Sequence, residues 1–315
     1  MKKTIFRLFG VVDFSLRFLI LILILAMHWQ IVRADNYYGM ANDYLQYGAG
    51  ARSLAMGGAY VALANEASAP YWNPGALTQI DEHQFLSMYA PFFEQTSYNF
   101  LSYVHPLGKL GNLGISDVLL HSGGYEEVGY AGEVMGTNKS IYKNAIIISY
   151  ANRVHRQISL GASLKLIHER VIKYSGNGQG IDLGIIYEPL DELNIGLALQ
   201  NVIQPKVTLR DEPNVYKINL KAGLALKTFA DRLTLTADIN KLVDEKTYFS
   251  AGVEISPWEK PASPSLKRVD LRVGCNHLQT FTCGIGLKIK FFSVDYAFNT
   301  HEMGNLHKFA LTFGW

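Results

Sequence analysis

Apolar and polar residues alternate with a period of two along most of the chain, from about residue 84 to Trp315. Apolar residues occupy every second position of 158–166, 218–226 and 249–255, for example. Alternation of this kind predicts strands with one apolar face and one polar face. Fourteen strands are predicted, near 84–91, 96–105, 111–120, 142–151, 156–168, 180–188, 192–202, 216–227, 231–240, 247–256, 268–276, 281–289, 292–299 and 306–315.

The lengths of these segments favour a membrane barrel. Many run to about nine or more residues, which exceeds the ~5–6 typical of soluble sheets and approaches the ~9–11 of a tilted transmembrane strand. Longer and shorter connections alternate, as in outer-membrane barrels. We therefore predict an all-β fold, a transmembrane antiparallel β-barrel of about 14 strands. The longer connections are 121–141, 171–179 and 203–215, and the shorter ones are 106–110, 189–191 and 228–230.

The last predicted strand places four large apolar residues on one face and ends on an aromatic side chain. This ending resembles the signal that the barrel-assembly machinery of Gram-negative outer membranes recognises. A secreted β-sandwich or a large soluble barrel is the alternative, because its strands also alternate, but such a fold has no need to finish in this way. The predicted assembly signal comprises Phe309, Leu311, Phe313 and Trp315.

The stretch 48–77, before the first strand, is dense in Gly and Ala and fits neither a regular helix nor a strand. Gly57 and Gly58 would each cost a helix roughly 1 kcal/mol relative to Ala. Small residues allow two backbones to pack closely together. We predict a compact plug, or hatch, inside the lumen of the barrel.

The N-terminus predicts export. Basic residues precede the apolar run 18–27, and small residues at Val32 and Ala34 indicate a signal-peptidase site after Ala34. A membrane anchor is the alternative, but the run is short of the ~20 residues needed to span a bilayer as a helix. The predicted divisions are a signal peptide at 1–34, a hatch at 35–82 and a transmembrane β-barrel at 83–315.

Charge gives no indication of a nucleic-acid partner. The 315-residue chain carries a formal net charge of +2. Removing 1–34 takes away five basic residues and one acidic residue, which leaves 24 Lys and Arg against 26 Asp and Glu and a net charge of −2. The basic character therefore belongs to the leader.

The two cysteines, Cys275 and Cys283, have the same strand parity and would face each other in a hairpin centred on Gln279. Export permits a disulfide between them, and two free thiols acting as small apolar residues are the alternative. No Cys and His spacing resembles a metal site. No cofactor is predicted.

Charged residues on the polar parity are predicted to face the lumen. They would form a polar pathway or hold the hatch, and an ordinary solvated barrel interior is the alternative. No nucleophile or acid–base pair stands out, so we do not predict an enzyme. The candidate lumen residues are Asp238, Glu254, Asp270 and Arg272.

Residues 48–62 and the Tyr-Trp-Asn-Pro-Gly sequence at 71–75 resemble the N-terminal hatch of the PorV/PorQ family, which is itself similar to FadL-type long-chain fatty acid transporters. The family commonly has Asn-Pro-Ala-Gly where this chain has Asn-Pro-Gly-Ala at 73–76. Arg52 matches the basic position of that family, and we expect it to pair with a lumen carboxylate such as Asp238, Glu254 or Asp270. The hatch motif residues are Arg52, Gly57, Gly58, Asn73, Pro74 and Gly75.

The resemblance implies two functions. FadL-type barrels bind amphiphiles and pass hydrophobic compounds sideways through the wall, whereas PorV-type barrels serve the type IX secretion machinery and receive exported proteins at the cell surface. A closed structural barrel is a third alternative. The expectation favours the FadL-type function, in the outer membrane of a Gram-negative-type bacterium. The expected partners are outer-membrane lipid, the barrel-assembly machinery, and a hydrophobic ligand or secreted proteins.

Overall fold

The computed structural model describes residues 44–93, 95–128, 134–259, 266–276, 281–300 and 305–315. The predicted signal peptide and residues 35–43 of the predicted hatch lie outside these ranges. The strands are β1 Gln84–Pro91, β2 Thr96–Pro106, β3 Asn112–Val128, β4 Val134–His155, β5 Ile158–Val171, β6 Tyr174–Leu190, β7 Leu193–Ile203, β8 Lys206–Thr208, β9 Pro213–Val215, β10 Asn219–Thr228, β11 Leu233–Leu242, β12 Thr247–Glu259, β13 Leu266–Asn276, β14 Thr282–Ile289, β15 Phe292–Asn299 and β16 Leu306–Gly314.

Fourteen of these strands form one closed antiparallel barrel, which confirms the predicted fold and strand number. Each strand pairs with its neighbour in sequence, except that β7 pairs with β10 across the small β8–β9 hairpin. The barrel closes where β1 pairs with β16, with Met88 opposite Ala310. Closure leaves no edge strand exposed.

Few residues of the described ranges are helical. Two short α-helices, α1 (Ala51–Ala55) and α2 (Ala69–Trp72), precede the barrel. Three 3-10 turns cover Tyr44–Gln46, Pro74–Gln79 and Gly108–Leu110. Within the described residues, none of the helices has the length and apolar character needed to cross a membrane.

The two faces of the wall differ as the alternation predicts. On β10, Leu220 and Leu224 are 51% and 50% exposed on the outer face, whereas Lys221 between them is buried in the lumen. Phe309 and Leu311 of β16 also face outward. The barrel is therefore apolar outside and polar inside, the arrangement of a barrel that contacts lipid.

We call the end of the barrel where β1 begins and β16 ends the lower rim, and the opposite end the upper rim. Two of the predicted longer connections at the upper rim are wrong, because β3 and β4 continue through most of 121–141 and Val171 already pairs with Tyr174. These segments lack apolar alternation since they extend past the apolar belt, where ladder hydrogen bonds alone continue the strands. The third connection contains the β8–β9 hairpin.

Candidate functional site

Residues 44–82, the described part of the hatch, lie inside the barrel. Ala49, Ala55 and Ala62 are fully or almost fully buried, and so is the large side chain of Tyr60. Small side chains therefore let the hatch backbone approach the wall closely. These residues therefore lie inside the lumen of the barrel, where the plug was predicted.

Two aromatic residues of α2 form hydrogen bonds with the hatch backbone just before α1. The Gly48 amide donates to the Tyr71 hydroxyl at 2.9 Å, and Trp72 Nε1 donates to the Ala49 carbonyl at 2.8 Å. Gly57 and Gly58 follow α1 with φ of 68° and 75°, a conformation that favours glycine. The pair therefore ends α1 and turns the chain.

The Asn-Pro-Gly turn docks on the wall at β5 and β6. Asn73 Nδ2 donates to the carbonyls of Val61, at 2.9 Å, and Ile185, at 3.1 Å. Asn73 Oδ1 accepts from the Gly75 amide at 3.0 Å. A Cβ added at Gly75 would lie 2.8 Å from the Gly184 carbonyl oxygen. A side chain at position 75 would therefore require the turn or the wall to move.

Arg52 enters a buried cluster of charges on the wall. Its guanidinium donates twice to Glu254, with Nε and Nη2 each 2.8 Å from a carboxylate oxygen. Arg272 Nε also donates to Glu254, at 2.6 Å, and its other nitrogens reach Asp295 at 2.5 Å and Asp270 at 3.3 Å. Of the three carboxylates considered for Arg52, Glu254 is therefore its partner. Bidentate geometry of this kind gives a strong and oriented contact.

Asp238 holds the hatch in a different way. Its Oδ2 accepts from the backbone amides of Tyr60 at 2.6 Å and Val61 at 2.9 Å. The structure thus brings three of the four candidate lumen residues, Glu254, Asp270 and Arg272, into one cluster and gives Asp238 a separate anchor.

Glycines of the wall surround the hatch where its backbone is nearest. A Cβ added at Gly196 would lie 2.5 Å from the Val61 carbonyl oxygen, and one at Gly252 would lie 2.5 Å from the Met56 carbonyl oxygen. These distances exclude any side chain unless the hatch moves. Further wall glycines that would meet the hatch in this way are Gly114, Gly161, Gly184, Gly274 and Gly284.

The cysteines do not form the expected facing pair. Both are free thiols, and Cys283 lies opposite Val273. The two cysteines are therefore two positions out of register on β13 and β14, because the hairpin register differs from the one centred on Gln279. The disulfide prediction is corrected accordingly.

A cavity of about 70 Å³ lies between the hatch and the upper rim. Tyr71 and Trp72 of the hatch line it, and Asn219 and Asn240 lie near the upper ends of β10 and β11. The other wall residues that line the cavity are Ile147, Lys165, Gln200, Asn201, Lys221, Asp238, Ser250 and Asn276.

The wall is irregular beside the cavity. Ile181 pairs with Ile203 whereas Leu183 pairs with Leu199, so β7 bulges between them. Asn201 in the bulge has a φ of 57°, and its Oδ1 accepts from Lys165 Nζ at 2.8 Å. Lys165 also pairs with Asp182 at 2.9 Å. A buried polar group thus supports a strained position of the wall.

The β8–β9 hairpin folds against the barrel as a flap. Val207 is fully buried, and glycines at alternate positions of β6 accept the backbone of β8. A Cβ at Gly178 would lie 2.8 Å from Val207 Cγ2, and one at Gly176 would overlap the Thr208 carbonyl oxygen.

Replacement of Gly176 with Ala should displace the flap, because backbone cannot yield as a flexible side chain does. Limited trypsin digestion at Lys206 and Arg210 should become about tenfold faster. The matched control is Gly123→Ala, since a Cβ there would meet only the His121 ring at an ordinary 3.5 Å. Equal digestion rates in the two variants would contradict this role of the glycine.

Glu66 is a buried hatch carboxyl. It is 8% exposed, accepts from the Ser68 hydroxyl at 3.0 Å and lies 3.9 Å from Arg52. Burial raises the pKa of Glu66, and the nearby Arg52 charge opposes this effect only in part. The protonated carboxyl is therefore more favoured in the folded hatch than in the unfolded chain.

The stability of the protein should fall with rising pH on account of Glu66. The contribution of a carboxyl with a raised pKa is full below its ordinary pKa of 4.5 and is lost as pH rises through the folded-state pKa. Glu66→Gln should therefore raise the melting temperature at pH 8 relative to wild type and flatten the pH profile. Thermal unfolding between pH 5 and 8 measures both effects, and identical profiles for variant and wild type would refute them.

Two features of the site were not predicted from the sequence. The wall glycines have a signal, since they recur on the lumen parity of successive strands, as Gly161, Gly196 and Gly252 do. The grouping of Lys165, Asp182 and Asn201 depends on the β7 bulge, and no pattern in the sequence predicts that bulge. Across the described ranges, no group of three or more His, Cys, Asp or Glu residues is placed to hold a metal ion.

No protein-family model matches the sequence, and no curated protein matches it either. Solved structures share its fold. The Pseudomonas putida toluene transporter TodX superposes with a TM-score of 0.59 and 15% identity, covering 85% of this chain and 98% of TodX. The Ralstonia pickettii toluene transporter TbuX superposes with a TM-score of 0.56 and 14% identity, covering 85% of this chain and 97% of TbuX.

A Pseudomonas aeruginosa FadL homologue gives a TM-score of 0.55 and 10% identity, covering 84% of this chain and 96% of the homologue. At such identities the likeness is one of fold. The chain therefore has the fold of a FadL-like barrel, whereas the PorV/PorQ resemblance of the hatch stays a prediction.

Proposed function

We propose that the protein is an outer-membrane channel that takes up small hydrophobic or amphipathic compounds and that the hatch closes it. The observation that carries this proposal is the closed fourteen-stranded barrel, whose fold is similar to that of two toluene transporters. The outward apolar residues provide the surface for outer-membrane lipid. The predicted signal peptide would direct export, and the predicted assembly signal that ends at Trp315 would be recognised by the barrel-assembly machinery.

The geometry supports a route that avoids the axis of the barrel. The hatch is held to the wall by Arg52, which does not line the cavity, and by Asp238, which does. The β7 bulge at Asn201 borders the same cavity. We place a lateral exit for the compound at this bulge, because an exit there would not require release of the charged cluster.

Uptake by cells tests the proposal. A Gram-negative host without hydrocarbon channels of its own should take up radiolabelled toluene and hexanol several-fold faster when it expresses this protein. The control is the same host with an unrelated closed barrel at equal outer-membrane level. Uptake no faster than in the control, with the barrel folded in the membrane, would refute the proposal.

A PorV-type role in type IX secretion is the second candidate. Two observations favour it, the resemblance of the hatch sequence and the β3–β4 hairpin, which continues past the pairing of Ser122 with Ile141. Such a hairpin offers a surface for an exported protein. Extraction in mild detergent followed by mass spectrometry separates the two candidates. A bound amphiphile supports the channel, and secreted proteins with a shared C-terminal domain support the secretion role.

A further inference from the structure

The outer face of β4 and β5 changes from apolar to polar toward the upper rim. Ile146 and Leu166 are exposed, outward-facing partners on these two strands. Tyr142 and Arg170 are the partners two outward pairs higher, and Lys143 beside them is buried in the lumen. The outer apolar belt of the barrel therefore ends just below Tyr142 and Arg170.

Arg170 lies against an aromatic side chain. Its guanidinium carbon is 4.8 Å from the centroid of the Tyr142 ring, and the centroid of the His121 ring is 4.5 Å from the same point. His121 of β3 is the partner of Tyr142, so the three residues form one row across β3, β4 and β5, which we call the Arg170 row. A guanidinium held over an aromatic ring is oriented, and its N–H groups stay available to an acceptor.

The Arg170 guanidinium has no carboxylate partner among the described residues. The row continues to Ser175 on β6 and to Ser97 on β2, so it contains no acid. Asp117 of β3 faces outward two pairs lower, where it accepts from Asn144 Nδ2. The guanidinium therefore presents donors to an anion that these strands do not supply.

We infer that the Arg170 row binds the phosphate of an anionic lipid in the leaflet around the upper rim. A guanidinium and a phosphate form two parallel charge-assisted hydrogen bonds, and aromatic rings such as that of Tyr142 are enriched at the head-group level of membranes. Basic residues at this level attract anionic lipids. The occupant is a lipid and not free phosphate, because Ile146 and Leu166 lie below the row on the same strands and offer an apolar surface to its acyl chains. The inference rests on the membrane barrel of the proposed function and is independent of what the channel carries.

Lipid retention tests the inference. Phosphatidylcholine nanodiscs that hold the barrel and small, equal amounts of dioleoyl phosphatidate and dioleoylglycerol are analysed by native mass spectrometry. The two minor lipids share their acyl chains and differ in the phosphate. We expect the barrel to retain phosphatidate about fivefold more often than dioleoylglycerol. Arg170→Ala should remove most of this preference, and Arg170→Lys should keep part of it, because an ammonium has the charge without the paired hydrogen bonds.

The matched control is Arg153→Ala. Arg153, near the lower end of β4, is also exposed, but it donates to Glu188 at 2.8 Å, so its loss should leave phosphatidate retention unchanged. Equal retention of the two lipids by the wild type, or equal phosphatidate retention by Arg170→Ala and the control, would overturn the inference. Displacement of phosphatidate by a large excess of inorganic phosphate would show a site for a free anion and would overturn the choice of a lipid.

This outcome is separate from that of the proposed function. If phosphatidate is retained through Arg170 but cells take up no toluene, the channel proposal fails and the lipid site stands. If cells take up toluene and the wild type retains both lipids equally, the lipid site fails and the channel stands.

Discussion

The Arg52→Ala variant should conduct small ions in planar bilayers under conditions in which the wild-type barrel stays closed. The substitution removes both bonds to Glu254, which is 1% exposed and keeps Arg272 as its main partner. Removal of one member of a buried ion pair typically costs about 3–5 kcal/mol when its partner is left uncompensated, and the remaining Arg272 contact makes the cost here smaller. We expect the hatch to loosen, the single-channel conductance to rise, and protease to cut within residues 44–82.

The matched control is Arg210→Ala. Arg210 pairs with Asp211 at 3.3 Å, but its side chain is 71% exposed, and exposed pairs contribute little. Arg52→Lys should give an intermediate conductance, since it keeps the charge and loses the bidentate geometry. A conductance of Arg52→Ala equal to that of the Arg210 control would show that the Arg52–Glu254 pair does not secure the hatch.

Gly196→Ala, a substitution in the wall instead of in the hatch, should also displace the hatch. The added Cβ would lie 2.5 Å from the Val61 carbonyl oxygen and 2.8 Å from the Ala62 Cα, both backbone atoms. Overpacking a close contact typically costs about 1–3 kcal/mol. We expect a lower melting temperature in detergent and faster proteolysis of the hatch, with the barrel itself still running as a folded band in unheated gels.

Gly123→Ala serves again as the control, because its Cβ would meet only a ring at 3.5 Å. A more severe test is Gly196→Val, which should prevent the hatch from docking at all. A destabilisation of 1 kcal/mol lowers the melting temperature by about 2–4 °C. If Gly196→Ala melts within about 1 °C of Gly123→Ala, the close approach of the wall and hatch backbones is therefore not needed for stability.

The barrel could be predicted from the sequence because alternation within each strand indicates which residues face outward and which face the lumen. Leu220 and Leu224 face outward, and Lys221 between them faces the lumen. The partner of Arg52 could be narrowed to three carboxylates but no further. Choosing among them requires the height of each strand in the barrel, and that height depends on pairing registers that alternation does not encode.

Register also explains the errors. Cys283 lies opposite Val273 instead of Cys275, because period-two alternation is preserved when a hairpin shifts by two residues. The continuation of β3 and β4 escaped prediction for a different reason. Above the apolar belt both faces of a strand are solvated, so 122–128 carries Gly and polar residues although it continues the strand.

The close contact between wall and hatch constrains the order in which the molecule is assembled. The hatch precedes β1 in the chain, and β1 meets β16 only when the ring is complete. Glycines such as Gly161 and Gly196 leave no clearance through which a folded hatch could be threaded afterwards. We therefore expect the hatch to dock before the seam between the first and last strands forms, with the wall completed around it.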